Sequence, residues 1–129
     1  MPCDAGALMQ QPLMIDSRVH GILDYVVGLL LILAPYILGF ADGGPAQAVP
    51  MVLGSSTILY SLVTRYELSV AKLIPYRVHL TVDAASGVLL LASPWLFRFA
   101  DQIWWPHVLV GLVELIVVTL SWSHARGEA

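Results

Sequence analysis

The chain has 129 residues, 58% hydrophobic and only 12% charged, with a formal net charge of −3 and a mean hydropathy of +0.80. Soluble domains carry about 25% charged residues, so the composition points to a membrane protein and leaves no material for a separate soluble domain. It also excludes a basic nucleic-acid surface, and no phosphate-binding glycine loop is present. Residues 1–17, MPCDAGALMQQPLMIDS, have no basic n-region and no unbroken apolar core, so they read as a cytoplasmic segment and not as a cleavable signal peptide. The first span then acts as an uncleaved insertion signal. Cys3 stands alone, so no intrachain disulfide forms.

Four apolar runs follow, at 19–38, 46–64, 79–98 and 105–122, each close to the roughly 20 residues that cross a bilayer as a helix. Asp16-Ser17 supplies an N-cap for the first. Pro45 or Pro50 marks the start of the second, Pro75 the third and Pro106 the fourth. Pro35 and Pro94 each remove a backbone donor, so the first and third helices are expected to kink or stop there. Tyr36, Phe40, Trp95, Phe97, Phe99, Trp104 and Trp105 gather after these prolines as an interfacial aromatic belt. Residues 123–129 are left as a short tail.

Charge placement sets the orientation. Arg18, Arg65, Lys72, Arg77 and Arg126 all fall on one side of the spans, and only Arg98 on the other. The positive-inside rule puts the first group, and with it both termini, on the cytoplasmic side of the membrane. The outer loops, 39–45 and 99–104, carry Asp42 and Asp101.

The chain also repeats itself. Residues 18–42 and 77–101 align without a gap at an offset of 59, with 11 of 25 positions identical, including Arg18/Arg77, His20/His79, Asp24/Asp83, Gly28/Gly87 and Pro35/Pro94. The following runs match more weakly at an offset of 57, with Gly54 on Gly111, Thr57 on Glu114 and Ser61 on Val118. The expected architecture is all-α: a four-helix transmembrane bundle of two tandem helical hairpins (18–66 and 77–122). An even number of spans per copy makes both insert the same way round, so the pseudo-two-fold axis runs along the membrane normal.

Each run carries a stripe of small or polar residues at helical spacing: His20, Asp24 and Gly28; Pro50, Gly54, Thr57 and Ser61; His79, Asp83 and Gly87; His107, Gly111, Glu114 and Ser121. Small residues let membrane helices approach and polar ones bond between them, so the stripes face the interior. Asp24 lies about 9 Å from Arg18, and Glu114 about 12 Å from Trp122, at 1.5 Å per residue. Arg18, His20, Asp24, Arg77, His79, Asp83 and Glu114 thus form one intramembrane polar cluster. Its three carboxylates need neutralising by protons, by the histidines or by the two arginines.

Three uses of the cluster follow. It locks helix register; or its carboxylates serve a proton-linked or ion-linked role; or His20 and His79, taken as lying on adjacent helices, ligate a haem or metal with the aspartates behind them. No spacing selects a particular metal. His107 reads as interfacial and His124 as solvated. Ser55 and Ser56 lack the His/Asp setting of a nucleophile.

The second copy contains Ala92-Ser93-Pro94-Trp95-Leu96-Phe97, and the first the variant Leu33-Ala34-Pro35-Tyr36-Ile37-Leu38, in which Pro35 and an aromatic, Tyr36, keep the motif. This resembles the SPW-repeat family of small bacterial integral membrane proteins over about residues 18–122. The resemblance implies a multi-helix inner-membrane protein and no particular reaction. The expected function is that of a small structural or accessory inner-membrane protein, partnered by the bilayer and by copies of itself or a larger complex. The alternatives are a proton-coupled carrier or a redox (haem or quinone) subunit, and an enzyme acting on a lipid or quinone at the same cluster.

Overall fold

The computed structural model describes residues 14–64 and 68–127, with side chains as far as Ser123. Cys3, most of the N-terminal segment, Arg65 and the side chains of His124 and Arg126 lie outside the described residues. Among those described, four α-helices form and no strand: α1 (Ser17–Ile37), α2 (Pro45–Leu62), α3 (Tyr76–Leu96) and α4 (Trp105–Gly127). The last runs five residues past the expected span, into the stretch assigned to the tail. By length and composition, Ser17–Ile37 and Trp105–Ser123 can each cross a membrane. The other two helices interrupt their apolar runs, α2 with Gln47, Ser55, Ser56 and Thr57, and α3 with Arg77, His79, Thr81 and Asp83.

The termini follow local chemistry. Asp16 caps α1, its Oδ1 accepting the Val19 N–H at 2.9 Å. Pro45 opens α2, where its missing N–H costs nothing. Pro35 and Pro94 lie in the last turns of α1 and α3, and each helix ends two residues later. Both ends close the same way. Gly39 and Arg98 take positive φ (78° and 60°), and the next N–H, of Phe40 or Phe99, donates to the Pro35 or Pro94 carbonyl at 2.8 Å. Those phenylalanines turn inward and are buried.

α1 packs along α2, and α3 along α4, giving two hairpins. Lighter contacts join α2 to α3 and α1 to α4, so α1 and α3 face each other diagonally across the middle instead of lying side by side. Within each hairpin the backbones nearly touch. A Cβ on Gly54 would lie 2.6 Å from the Gly28 carbonyl oxygen, and one on Gly111 would lie 2.9 Å from that of Gly87. No other residue permits this approach. Between hairpins, Leu73 and Ile74 lie against the end of the second helix, their N–H groups donating to Val63 O.

The polarity of the molecule is inverted relative to a soluble domain. Its exposed surface is rich in Val19, Ile22, Val26, Leu29, Val52, Leu59, Val88, Leu109 and Ile116, while His20, His79, His107, Asp24, Asp83, Ser61, Ser93 and Ser121 are buried. The interior has two ends. At one, Phe40, Ala46 and Phe99 cluster around His107, whose ring centroid lies 5.6 Å from Phe40 and 4.7 Å from Phe99. The other end is polar.

Candidate functional site

His20 and Asp24 are one helical turn apart on α1, and His79 and Asp83 repeat the pair on α3. Because α1 and α3 face across the centre, the two pairs meet. His20 Nε2 lies 2.8 Å from Asp83 Oδ2 and 3.2 Å from Asp24 Oδ2; His79 Nε2 lies 2.7 Å from Asp24 Oδ2 and 3.1 Å from Asp83 Oδ2. The four atoms thus form a closed ring that alternates nitrogen and oxygen. In each histidine the shorter bond is to the other hairpin. Both imidazoles are fully buried, and both aspartates nearly so.

The outer nitrogens are held as well. His20 Nδ1 is 2.7 Å from Ser121 Oγ on α4, and His79 Nδ1 is 2.7 Å from Thr64 Oγ1 beyond the end of α2. Thr64 spends its own proton on the Tyr60 carbonyl at 2.6 Å. Its oxygen therefore accepts from His79, so Nδ1 carries a proton while Nε2 is aimed into the quartet. Tyr60 donates its phenolic hydrogen to Asp83 Oδ1, and the Ser61 hydroxyl lies 3.4 Å from Asp24 Oδ2. The rings of Tyr60 and Tyr76 wall the site against His79 and His20.

Other candidates fall outside the ring. Arg18 and Arg77, considered as counter-charges, are exposed at the helix starts, and the carboxylates pair with histidine instead. Glu114 is half-buried and joins no ion pair among the described residues. Its Oε2 is buried without a hydrogen-bond partner, in a cavity of about 20 Å³ that it shares with His20, Asp24, Asp83 and Thr57. His107, read as interfacial, is buried at the aromatic end and bonded to the Ala46 carbonyl at 3.0 Å. The motif residues do not reach the quartet. Pro35, Ser93 and Pro94 are buried at the far ends of α1 and α3, with Tyr36 and Trp95 each 59% exposed beside them. A larger apolar cleft of about 230 Å³ opens at that end, between Leu31, Ala34 and Trp105. In the nearby loop, the Gly44 N–H and the Gln102 amide both donate to Asp42, holding its carboxyl below the usual carboxylate range.

Two residues of the site escaped the sequence reading. Thr64 was legible: carrying the offset of 57 three residues past Ser61 places it on Ser121, and these are the two Nδ1 partners. Tyr60 gave no such signal, since Val117 stands at its matching position.

Neither the curated proteins nor the solved structures yielded a match to this chain. A family model for the SPW repeat domain matches residues 18–121, which takes in both hairpins and every member of the quartet. The chain belongs to the SPW repeat family.

Proposed function

We propose that all four helices span the bacterial inner membrane, with both termini cytoplasmic, as two like-oriented hairpins about a pseudo-two-fold axis along the membrane normal. In this reading the protein is a small structural or accessory component that assembles with copies of itself or with a larger membrane complex. The observation that carries it is the distribution of polarity: an apolar exterior on every helix around an interior in which histidine, aspartate, serine and threonine are buried beside leucine and phenylalanine. The quartet then works as a cross-pin. Each hairpin satisfies the buried charges of the other, so neither is stable without its partner in register. With only short loops outside the helices, the lipid-facing surface is what the protein offers a partner.

One observation favours a second, ion-linked use of the same centre: the unpartnered Glu114 oxygen in the cavity beside the ring. Haem suits the geometry poorly. The imidazole centroids are 5.4 Å apart with both Nε2 atoms turned to carboxylates, and the adjoining cavity holds about one water.

Topology reporters fused at each terminus, and inserted in the loop at Gly43, test the arrangement. Both termini should report cytoplasm and the loop the opposite side, with the protein resisting alkaline extraction from membranes. Termini on opposite sides, or release by alkali, overturn it.

A further inference from the structure

The geometry points to a tetrahedral site for a divalent transition-metal ion, Zn²⁺ by preference, with Nε2 of His20 and His79 and Oδ2 of Asp24 and Asp83 as its four donors. This goes beyond the accessory role and does not depend on how the chain lies in the bilayer.

The donor set comes first. Two imidazoles and two carboxylates suit Zn²⁺ and its neighbours, whereas Mg²⁺ and Ca²⁺ take six or more oxygens. Distances come next. The four ligand atoms lie within 4.8 Å of one another, and the ring edges are 2.7, 2.8, 3.1 and 3.2 Å. Bonds of about 2.0–2.1 Å arranged tetrahedrally require all six donor separations to be about 3.3 Å; the four ring edges lie within a few tenths to about half an ångström of that, and the two diagonals lie within 4.8 Å.

Orientation is the independent support. A metal-bound histidine binds through one nitrogen while the other donates outward, and such partners fix the ring and its tautomer. Thr64 does this for His79, and Ser121 occupies the same position for His20. On Asp83, the non-ligand oxygen Oδ1 is held by Tyr60. With both outer nitrogens held, the two Nε2 atoms are turned to the same pair of carboxylate oxygens.

Charge also balances. Two carboxylates and two neutral imidazoles carry −2, which one divalent ion cancels. The Nε2 protons that bridge to the carboxylates in the empty ring leave as H⁺ when the metal takes their place. All four positions are filled by protein, so the site is closed: it has no open position for a reacting water. Glu114 presents a carboxylate oxygen to the cavity beside it, where an arriving cation is first met.

The test uses the full chain, purified in detergent and stripped with chelator, with Co²⁺ as the probe. One Co²⁺ per chain should bind with the strong visible absorption of a four-coordinate ion and be displaced by one Zn²⁺. The Asp24→Asn/Asp83→Asn double variant should lose that absorption. Thr64→Val and Ser121→Ala keep all four donors and should weaken binding about 10–100-fold, so they report even if the double variant does not fold. Glu114→Gln should slow loading without changing stoichiometry. Three results overturn the proposal: no binding by the folded wild-type chain, the weak spectrum of six-coordinate Co²⁺, or four-coordinate absorption that survives in the folded double variant.

Discussion

The two hairpins are copies of one plan, and they agree and differ in a physically sorted way. The side chains of the ring and its outer anchors come in matched pairs: His20 with His79, Asp24 with Asp83, Ser121 with Thr64. The side chains around that set do not, even where they too cross between hairpins. Tyr60 bonds Asp83 where the second copy has Val117, Glu114 stands where the first has Thr57, and Arg98 ends α3 where Gly39 ends α1. Where a contact is made twice across the two-copy interface, a change in one partner must be answered in both copies. A contact made once, such as Tyr60 with Asp83 or His107 with Ala46, carries no such demand. The matched residues therefore mark the doubled contacts at the centre of the interface, and the unmatched ones mark where the halves have separate duties.

The largest effects should come from breaking a matched pair. Asp24→Ala or Asp83→Ala leaves two buried imidazoles facing one carboxylate, and removing one partner of a buried pair costs about 3–5 kcal/mol. The two should not be equal. Asp83→Ala also removes the carboxylate acceptor of the Tyr60 hydroxyl and leaves it only Thr57 Oγ1 at 3.2 Å, so it should be the more damaging, by up to about 1 kcal/mol. Denaturant unfolding of the purified variants measures both. A loss under 1 kcal/mol in either would mean that the ring does not hold the hairpins together.

Next come the glycines at which the helices of each hairpin touch. Gly54→Ala and Gly111→Ala drive a methyl onto backbone atoms at 2.6 and 2.8 Å, which no rotamer can relieve, and should cost roughly 1–3 kcal/mol. Gly87→Ala meets only side chains, Leu115 at 3.2 Å and Glu114 at 3.3 Å, and should cost clearly less. Thermal midpoints of the three variants give the ranking. Equal losses would show that helix separation, and not local contact, sets the response.

Much of this was legible before any coordinates. Helix limits followed the apolar runs and prolines because burial and a missing N–H are local properties. The glycine stripes predicted the close faces, and the duplication put the His20/Asp24 and His79/Asp83 turns in one cluster, though without the crossed pairing of each histidine with the other copy's aspartate. The diagonal placement of α1 and α3 was not legible. It depends on which helix pairs approach most closely, and stripes on all four helices fit either arrangement. The exclusion of Arg18 and Arg77 was missed for a related reason. Sequence spacing puts each only two residues from its histidine, but two residues are about 200° round a helix, so the arginines leave on the other side, at the exposed end. His107 was read as interfacial because it lies at a span end. Phe40 and Phe99, brought in by two like helix ends, bury it.

Those helix ends supply the smallest and sharpest comparison. Gly39 and Arg98 hold matching left-handed positions, at φ of 78° and 60°, and both deliver a phenylalanine to the same interior cluster. Glycine adopts that backbone freely, whereas a residue with a Cβ pays about 1 kcal/mol. Nothing lies within 4 Å of a Cβ built on Gly39, so Gly39→Ala is a test of backbone strain alone and should cost about 1 kcal/mol. Arg98→Gly should return about the same amount, making the second hairpin end like the first. Opposite shifts in thermal midpoint, similar in size, are the expected outcome. If both substitutions destabilise, Arg98 contributes through its side chain. The two ends would then share a conformation while being held by different forces.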